Sequence, residues 1–343
     1  MSVGPITLIL NASAAADPPL REAVGSLRTA GCDVTVHNCW EDGDPARFAQ
    51  QATAKALADG AAADAVLVAA GGDGTVNEVA AALAAAADGG KDPGELPALA
   101  VAPYGTANDF ATAAGLPVDD PARCLLSVPD LTVHRCDIGR LNGRPFVNAA
   151  SAGYAARVTT EADPTAKKLL GGLAYWYTGL RNLSRTSGAE VTVAADDAVW
   201  TGRVLAVVVG NGRYAGGGIA VTPHARIDDG KLEVTIVPEV GVTEYKALYD
   251  DLARVGQGED PQLLTVGRAE RVLIEAETPI QVNLDGEPVT DTRLEFDVLP
   301  GAIRVLLPAT SPLLSPPPVG GGNGPFVPGG VDHVEPADGG AGA

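Results

Sequence analysis

The sequence is short of positive charge. Its 24 Lys and Arg residues face 43 Asp and Glu residues, which gives a formal net charge of −19 at pH 7. A chain this acidic does not attract nucleic acid or an anionic membrane through its overall electrostatic field. We therefore expect no nucleic-acid partner, and any contact with lipid must be local.

Paired cysteines and long apolar runs are also missing. The four cysteines, Cys32, Cys39, Cys124 and Cys136, show no Cys-x-x-Cys pair and no zinc spacing, so we expect reduced thiols in a cytoplasmic protein. The apolar run Ile6–Leu10 has no basic region before it and is too short for the core of a signal peptide. No stretch approaches the length that spans a bilayer. The sequence thus predicts a cytoplasmic protein that associates with a membrane only transiently, where its substrate lies.

A glycine-rich turn follows the apolar run at residues 65–70. Its sequence is Gly71-Gly72-Asp73-Gly74-Thr75-Val76-Asn77-Glu78. A buried strand, a glycine turn and a helix bring backbone N–H groups to a helix N-terminus, where phosphate is favoured. Thr75 and Glu78 have capping-box spacing, so we expect Thr75 to begin the helix. Asp73 is then a carboxylate suited to hold Mg²⁺ against a polyphosphate.

A second turn of the same kind follows the apolar residues 98–102. Its sequence is Gly105-Thr106-Ala107-Asn108-Asp109-Phe110, and Thr106 and Asp109 repeat the capping-box spacing. Two such turns in succession indicate adjacent parallel strands that face one ligand from their carboxyl ends. The chain has no Gly-x-x-x-x-Gly-Lys-[Ser/Thr] sequence, which excludes a P-loop enzyme.

These two turns resemble the nucleotide motifs of the diacylglycerol kinase catalytic domain in its soluble bacterial form. Residues 210–218 with 228–230 resemble that family's metal-site region, and residues 282–287 resemble its Asp-Gly-Glu catalytic motif. The four motifs stand in family order between about residue 5 and about residue 308. The resemblance implies ATP as co-substrate, Mg²⁺ as cofactor and a lipid hydroxyl as acceptor, with diacylglycerol to phosphatidic acid as the first choice.

The resemblance assigns nucleotide binding to both turns and to the loop after the first strand. The assigned residues are Asn11, Gly71, Gly72, Asp73, Gly74, Thr75, Asn77, Glu78, Gly105, Thr106, Asn108 and Asp109. Asn11 matches the family's Asn-Pro-x-x-Gly loop, but the proline and glycine are absent, and Ala16 stands where the family has lysine. This departure leaves the strength of ATP binding open.

The Asp-Gly-Glu turn supplies the candidate catalytic residues. By resemblance it faces the cleft between two domains, where Glu287 could accept the proton of a primary alcohol as the alcohol attacks the γ-phosphate. Asp285 would orient its neighbour or link it to a metal ion. Without the other motifs, Asp285-Gly286-Glu287 would be an ordinary exposed hairpin turn.

The metal assignment also comes from the resemblance. In the family, the second Asp of an Asp-Asp-Gly sequence binds a structural Mg²⁺ together with backbone carbonyls on either side. The matching positions are Arg226, Asp229 and Lys231, and hard oxygen ligands suit Mg²⁺. Asp137 would belong to a charged network in this region, with Lys167 or Lys168 as partner.

The pattern of elements predicts an α/β protein with two domains. Residues 1–132, with about 300–308, alternate strands and helices, as in a parallel-sheet nucleotide-binding domain like those of NAD kinase and diacylglycerol kinase. Residues 133–299 contain short strands and an Asn142-Gly143 hairpin signal, which predicts an antiparallel, β-sandwich-like domain. Residues 309–343 are rich in Pro and Gly, so we expect a disordered tail.

Residues 167–185 are a candidate for membrane docking. Five large apolar residues share one helical face: Leu169, Leu173, Trp176, Leu180 and Leu183. The segment contains four basic residues and no acid, which suits an anionic membrane surface. Packing of this helix on the second domain is an equal alternative. A homodimer is compatible with the resemblance, and the oligomeric state stays open.

Three other functions remain as alternatives. Another lipid alcohol, such as a sphingoid base or a polyprenol, could be the acceptor. NAD kinase also uses Gly-Gly-Asp-Gly, although residues 105–109 and 285–287 argue against it. A non-catalytic nucleotide-binding regulator has only the altered Asn11 loop in its favour, and Asp73 and Glu287 oppose it.

Overall fold

The computed structural model describes residues 4–153, 188–255, 257, 259, 261–314 and the backbone of 334–336. The chain forms two compact units. The first contains the chain up to Ile138, the loop Ile227–Gly230 and the segment that returns at Leu299. The second contains Gly139–Arg226 and Lys231–Val298. The candidate docking segment 167–185 lies outside the described residues.

A parallel sheet forms the first unit. Its strands are β1 (Ile6–Leu10), β2 (Val34–Asn38), β3 (Val66–Gly71) and β4 (Ala98–Pro103), in the order β2-β1-β3-β4. The returning chain adds a further parallel strand beside β4, with Arg304 opposite Ala98. Every residue of β3 and β4 is buried, as in parallel sheets that helices cover on both faces. The predicted α/β fold of this domain, with its parallel sheet, is confirmed.

Six α-helices connect these strands. They are α1 (Ala12–Ala16), α2 (Pro18–Thr29), α3 (Asp44–Ala58), α4 (Asp73–Asp88), α5 (Asp109–Ala114) and α6 (Pro121–Ser127), with single 3₁₀ turns at Pro93–Glu95 and Val128–Asp130. The capping boxes that the spacing predicted do not form. Helix α4 begins two residues before Thr75, and α5 begins at Asp109 after Asn108, a residue in the left-handed conformation.

Antiparallel strands form most of the second unit. The other strands among the described residues are β5 (Thr132–Leu141), β6 (Arg144–Phe146), β7 (Ala149–Gly153), β8 (Ala189–Ala195), β9 (Ala198–Gly210), β10 (Tyr214–Ala215), β11 (Ile219–Ala220), β12 (Leu232–Pro238), β13 (Thr265–Ala269), β14 (Arg271–Leu284), β15 (Glu287–Leu307) and β16 (Val334–Pro336). The order β13-β12-β9-β7-β14-β15 runs through this unit, and β8 pairs with both β9 and β14. A 3₁₀ turn (Val242–Glu244) leads into helix α7 (Tyr245–Val255).

The second unit has its own apolar core, which includes Phe146, Val193 and Leu294. The predicted hairpin at Asn142-Gly143 joins β5 to β6, and both turn residues have positive φ, as a type I′ turn requires. The predicted antiparallel, sandwich-like character of this part of the chain is confirmed. None of the helices within the described residues is long and apolar enough to cross a membrane.

The C-terminal segment is more ordered than its composition suggested. Ser311 and Leu313 are buried, and Pro312 lies so close to Gly115 that a Cβ on that glycine would be 3.0 Å from the proline Cδ. Farther on, β16 pairs antiparallel with Ala198–Trp200 of β9. At these two places the structure shows packing and strand pairing that the composition did not predict, and the disordered tail otherwise stays a prediction.

Candidate active site

The two glycine turns lie at one edge of the parallel sheet and touch each other. Strands β3 and β4 pair with Gly71 opposite Pro103, so both turns leave the sheet at the same level. A Cβ built on Gly105 would lie 2.4 Å from the Cα of Gly72, which no side chain can tolerate. None of the glycines in these turns has a positive φ. Close backbone approach, and not a left-handed conformation, is what requires glycine here.

Asp73 links the two turns. Its Oδ1 accepts a hydrogen bond from the backbone N–H of Phe110 at 3.1 Å. As the first residue of α4, Asp73 also places its carboxylate in the first turn of the helix, where negative charge is favourable. In the structure this carboxylate joins one glycine turn to the other, and its role as a metal ligand stays a prediction.

The second turn is closed by its own side chain. Asn108 accepts from the N–H of Gly105 at 2.8 Å through Oδ1 and donates to the carbonyl of Gly105 at 3.0 Å through Nδ2. Asn108 has φ 53°, a conformation that asparagine tolerates better than most residues. Thr106 is exposed at the tip of the turn, whereas Asp109 is buried. Asn108 therefore shapes the turn, and Thr106 is the side chain left on its surface.

Other residues of the first turn pack against its backbone or join it to a neighbouring helix. A Cβ on Gly71 would lie 2.3 Å from Oγ1 of Thr75, so that threonine packs directly on the glycine backbone. Glu78 accepts the N–H of Ala46 at 3.4 Å, which ties α4 to the start of α3. Oδ1 of Asn77 is buried and has no hydrogen-bond partner among the described residues. Gly74, by contrast, has open space where a Cβ would stand.

The altered loop after β1 forms a short helix. Asn11 caps α1 by accepting the N–H of Ala14 at 2.9 Å, and its Nδ2 donates to the carbonyl of Tyr104 at 3.4 Å. Tyr104 in turn donates its hydroxyl to Oδ2 of Asp17 at 2.5 Å. Burial and this hydrogen bond to a carboxylate raise the pKa of Tyr104 above its ordinary value. Tyr104 and Asp17, which the sequence did not single out, thus join the Asn11 loop to the second glycine turn.

Asp137 organises the candidate metal loop. This buried residue donates its N–H to the carbonyl of Ile227 at 2.6 Å, and its carboxylate accepts the N–H groups of Gly230 and Gly301, both at 2.7 Å. Burial raises the pKa of Asp137, while the two backbone donors oppose that rise. The loop Ile227–Gly230 belongs to the first unit because Asp137 binds both of its ends. The expected partners Lys167 and Lys168 lie outside the described residues.

The metal loop contains donor groups of the kind that Mg²⁺ accepts. Asp229 is half-buried, and Arg226 and Lys231 flank the loop in sequence. No group of three or more His, Cys, Asp and Glu side chains suited to a metal ion occurs in the part of the chain that the structure describes. A cation here would therefore take backbone carbonyl oxygens beside the carboxylate of Asp229, a hard-oxygen set that Mg²⁺ accepts.

The Asp-Gly-Glu turn is a type I′ hairpin between β14 and β15. Asp285 has φ 46° and Gly286 has φ 102°, and Leu284 pairs with Glu287 across the turn. Gly286 donates its N–H to Oδ1 of Asn283 at 2.7 Å. These contacts fix the position at which β15 begins, and Glu287 is its first residue.

Asp285 binds a neighbouring stretch of backbone. Its carboxylate accepts the N–H groups of Val147 at 2.7 Å, Asn148 at 3.2 Å and Ala149 at 3.0 Å. Asn211 holds the same stretch from the other direction, because its Nδ2 donates to the carbonyl of Val147 at 2.9 Å. Asp285 thus fixes residues 147–149 beside the turn, while its role in orienting Glu287 or linking it to a metal ion stays a prediction.

Glu287 is exposed and forms an ion pair. Its side chain is 71% exposed, and Oε2 accepts a hydrogen bond from Nη2 of Arg144 at 2.7 Å. Arg144 is the first residue of β6 and could not be singled out beforehand, since nothing in its local sequence marks it. A carboxylate that is accessible to solvent and held on one oxygen can accept a proton on the other.

Comparisons with known proteins cover most of the chain. A family model described as "Diacylglycerol kinase catalytic domain" matches residues 5–141, and one described as "YegS C-terminal NAD kinase beta sandwich-like domain" matches residues 148–307. A protein of Pseudomonas aeruginosa described as "Probable lipid kinase YegS-like" is 42% identical over 91% of this chain and 97% of its own. A protein of Stenotrophomonas maltophilia with the same description is 41% identical over 90% and 97%. A crystal structure of a "putative diacylglycerol kinase" from Bacillus anthracis superposes with a TM-score of 0.72 at 25% identity, covering 91% and 97%.

Proposed function

Because the chain belongs to the diacylglycerol kinase catalytic-domain family and is a lipid kinase, we propose that it transfers the γ-phosphate of ATP to a lipid hydroxyl. Diacylglycerol is the acceptor that we favour, with phosphatidic acid as product. The name of the Bacillus anthracis relative supports this choice of lipid. The acceptor would be met at the surface of a membrane, with the enzyme otherwise in the cytoplasm.

The contact between Gly72 and Gly105 is the observation that carries the proposal. The contact brings the two turns together at one edge of the sheet, and Gly74 leaves open space near the start of α4. A polyphosphate could therefore approach the N–H groups there, where the helix dipole also favours an anion. Thr106 supplies a hydroxyl at the tip of the second turn. The turns would therefore form a cradle for the phosphates of ATP, which is what phosphoryl transfer requires first.

Mg²⁺ would neutralise charge on the phosphates or stabilise the metal loop when it is bound. Asp229, with the carbonyl oxygens of Arg226 and Lys231, would hold the structural ion. Asp73 keeps a carboxylate beside the phosphate cradle, although one of its oxygens already binds Phe110. Asp137 would keep the loop around Asp229 in shape whether or not the metal is present.

Glu287 is the proposed general base. Its free oxygen would take the proton of the lipid hydroxyl while the hydroxyl oxygen forms a bond to the γ-phosphorus and ADP leaves. Asp285 would act indirectly, by fixing the turn from which Glu287 projects.

The decisive experiment offers purified protein radiolabelled ATP, Mg²⁺ and diacylglycerol in mixed micelles, and separates the labelled lipids. We expect labelled phosphatidic acid. Parallel reactions contain a sphingoid base, a polyprenol or NAD in place of diacylglycerol. If only another lipid were labelled, the protein would still be a lipid kinase, but that lipid would replace diacylglycerol as the proposed acceptor. Labelled NADP would instead support the NAD kinase alternative, and label in no product would contradict ATP-dependent transfer to these acceptors.

A further inference from the structure

The proposed base forms an ion pair with Arg144. Oε2 of Glu287 lies 2.7 Å from Nη2 of Arg144. Within the described parts of the chain, no second hydrogen bond or ion pair reaches the side chain of Glu287. Its other carboxylate oxygen is thus left to accept a proton from a substrate hydroxyl.

Arg144 is held in place by a hairpin that is tied to the strand of Glu287. Asn142, at the turn before β6, exchanges hydrogen bonds with the backbone of Glu295 on β15: its N–H donates at 2.8 Å and its Oδ1 accepts at 2.8 Å. Its Nδ2 also donates to the carbonyl of Arg293 at 3.1 Å. The start of β6 is therefore anchored to β15 independently of the ion pair.

A second anchor lies on the other side of Arg144. Asp285, two residues before Glu287, accepts hydrogen bonds from the N–H groups of residues 147–149. These three residues follow Arg144 closely in the chain. The two side chains of the ion pair consequently project from backbones that are clamped together twice. The pair does not need to form for these backbones to be neighbours.

Stability does not explain the ion pair. The side chain of Arg144 is 51% exposed and that of Glu287 is 71% exposed. Exposed pairs of this kind contribute little to folding. The consequence of the pair is geometric, because the contact favours one among the several rotamers that a glutamate on a surface turn samples.

We propose that Arg144 is a positioning residue for the phosphoryl transfer, which holds one oxygen of Glu287 so that the other faces the lipid hydroxyl. This inference rests on the proposed function of Glu287 as general base. Arg144 touches neither the lipid nor ATP in this role, so its removal should alter turnover and not substrate binding. Small losses of alignment are enough to lower the rate of an enzyme substantially.

The test compares Arg144→Met, Arg144→Lys, Glu287→Gln and the Arg144→Met/Glu287→Gln double variant. The matched control is Arg293→Met, since Arg293 is 54% exposed and pairs with Glu275 and Glu295 instead. We expect Arg144→Met to lower kcat about tenfold with unchanged KM for ATP and lipid, Arg144→Lys to recover part of the loss, and Arg293→Met to behave as wild type. In the Glu287→Gln background, Arg144→Met should have no further effect. Melting temperatures should stay the same throughout.

Distinct outcomes separate this inference from the function on which it rests. Wild-type kcat in Arg144→Met, or an equal loss in the presence and absence of Glu287, would overturn the positioning role while leaving the base intact. Wild-type activity in Glu287→Gln would exclude Glu287 as the base and therefore also Arg144 as its positioning residue. The assignment of the protein as a lipid kinase would still stand. A rise in KM for lipid without a change in kcat would make Arg144 a binding residue and also overturn the inference.

Discussion

At the scale of single residues, the site depends on where side chains are missing. Gly72 and Gly105 bring two backbones into contact, and a Cβ on either would meet the other turn at under 3.0 Å. The sequence predicted glycine turns correctly, and it allowed for close approach to an anion. It could not show that each glycine is required by the other, because the two lie on different strands.

Gly105→Ala should damage both the fold and the site. The added methyl group must push the two turns apart, and overpacking of this kind typically destabilises by about 1–3 kcal/mol. We expect a lower melting temperature, and a smaller rise in melting temperature on addition of ATP–Mg²⁺ than wild type shows. Gly25→Ala is the control, since Gly25 is exposed within α2 and nothing lies within 4 Å of the place that its new methyl group would occupy. Equal melting temperatures for the two variants would refute the contact.

Glu287→Gln should separate chemistry from binding. The amide keeps the shape of the side chain but cannot accept the proton, and general-base catalysis typically contributes about 10²–10⁴-fold to a rate. We expect kcat to fall by a factor of that order while KM for ATP and the melting temperature stay nearly unchanged. Steady-state kinetics with micellar diacylglycerol measure this. Retention of most activity would exclude Glu287 as the base.

Glu233 makes stability depend on pH. This residue of β12 is fully buried, and burial raises its pKa from 4.5 to about 8, although the charge of Arg213 opposes the rise. The folded state therefore keeps a proton that the unfolded chain releases, so the free energy of unfolding should decrease as pH rises from about 4.5 to about 8. Glu233→Gln should lack this decrease. Urea unfolding at pH 5 and pH 8 measures it, and identical pH dependence in both proteins would contradict the assignment.

At the scale of elements, the structure shows which local signals were informative. The Asn142-Gly143 hairpin was predictable because a type I′ turn needs two residues that accept positive φ. The starts of α4 and α5 were not, because the threonines with capping-box spacing pack inside or at the tip of a turn instead of capping a helix. The first residues of both helices instead take part in a contact between the two turns, from Phe110 to Asp73, and such contacts leave no mark in a local sequence.

The hydrogen bonds to Asp285 are a second feature that the local sequence could not predict. Three N–H groups converge on this carboxylate from residues 147–149, far away in sequence. Asp285→Ala would leave these partly buried donors without a partner, which costs about 1–3 kcal/mol for a typical group. We expect a destabilisation of roughly that size or more, together with lower kcat, and a smaller effect for Asp285→Asn. Chemical unfolding checks this, and wild-type stability in Asp285→Ala would show that the clamp is not needed.

At the scale of the whole molecule, the sequence predicted the family and both kinds of domain, because four motifs in order carry more information than any one of them. It did not predict that Ile227–Gly230 joins the first unit. That membership depends on the buried Asp137, whose hydrogen bonds reach both ends of the loop and the N–H of Gly301. The motif signalled a metal site, while the residue that shapes the loop stood elsewhere in the chain.

Asp229→Ala should act through the metal. If Asp229 holds a structural Mg²⁺, the variant should bind less of it and lose activity, without a change in the contacts of Glu287. We expect elemental analysis of the nucleotide-free protein to find Mg²⁺ in wild type and less in the variant. Asp228→Ala is the control, because Asp228 is the exposed neighbour in the same turn. A wild-type protein that remains fully active after chelation would contradict this role.

The strand β15 has a consequence for how the protein is made. Its last residues complete the parallel sheet of the first unit, where Arg304 also binds the carbonyl oxygens of Ala63 at 2.8 Å and Leu96 at 2.9 Å. The unit that is synthesised first is therefore finished last. At about 5–20 residues per second, a ribosome needs on the order of ten to thirty seconds to pass from Ile138 to Leu299. Throughout that interval β4 is the edge of an apolar sheet, so a nascent chain of this enzyme must either be shielded by a chaperone or tolerate an open edge until its C-terminal segment emerges.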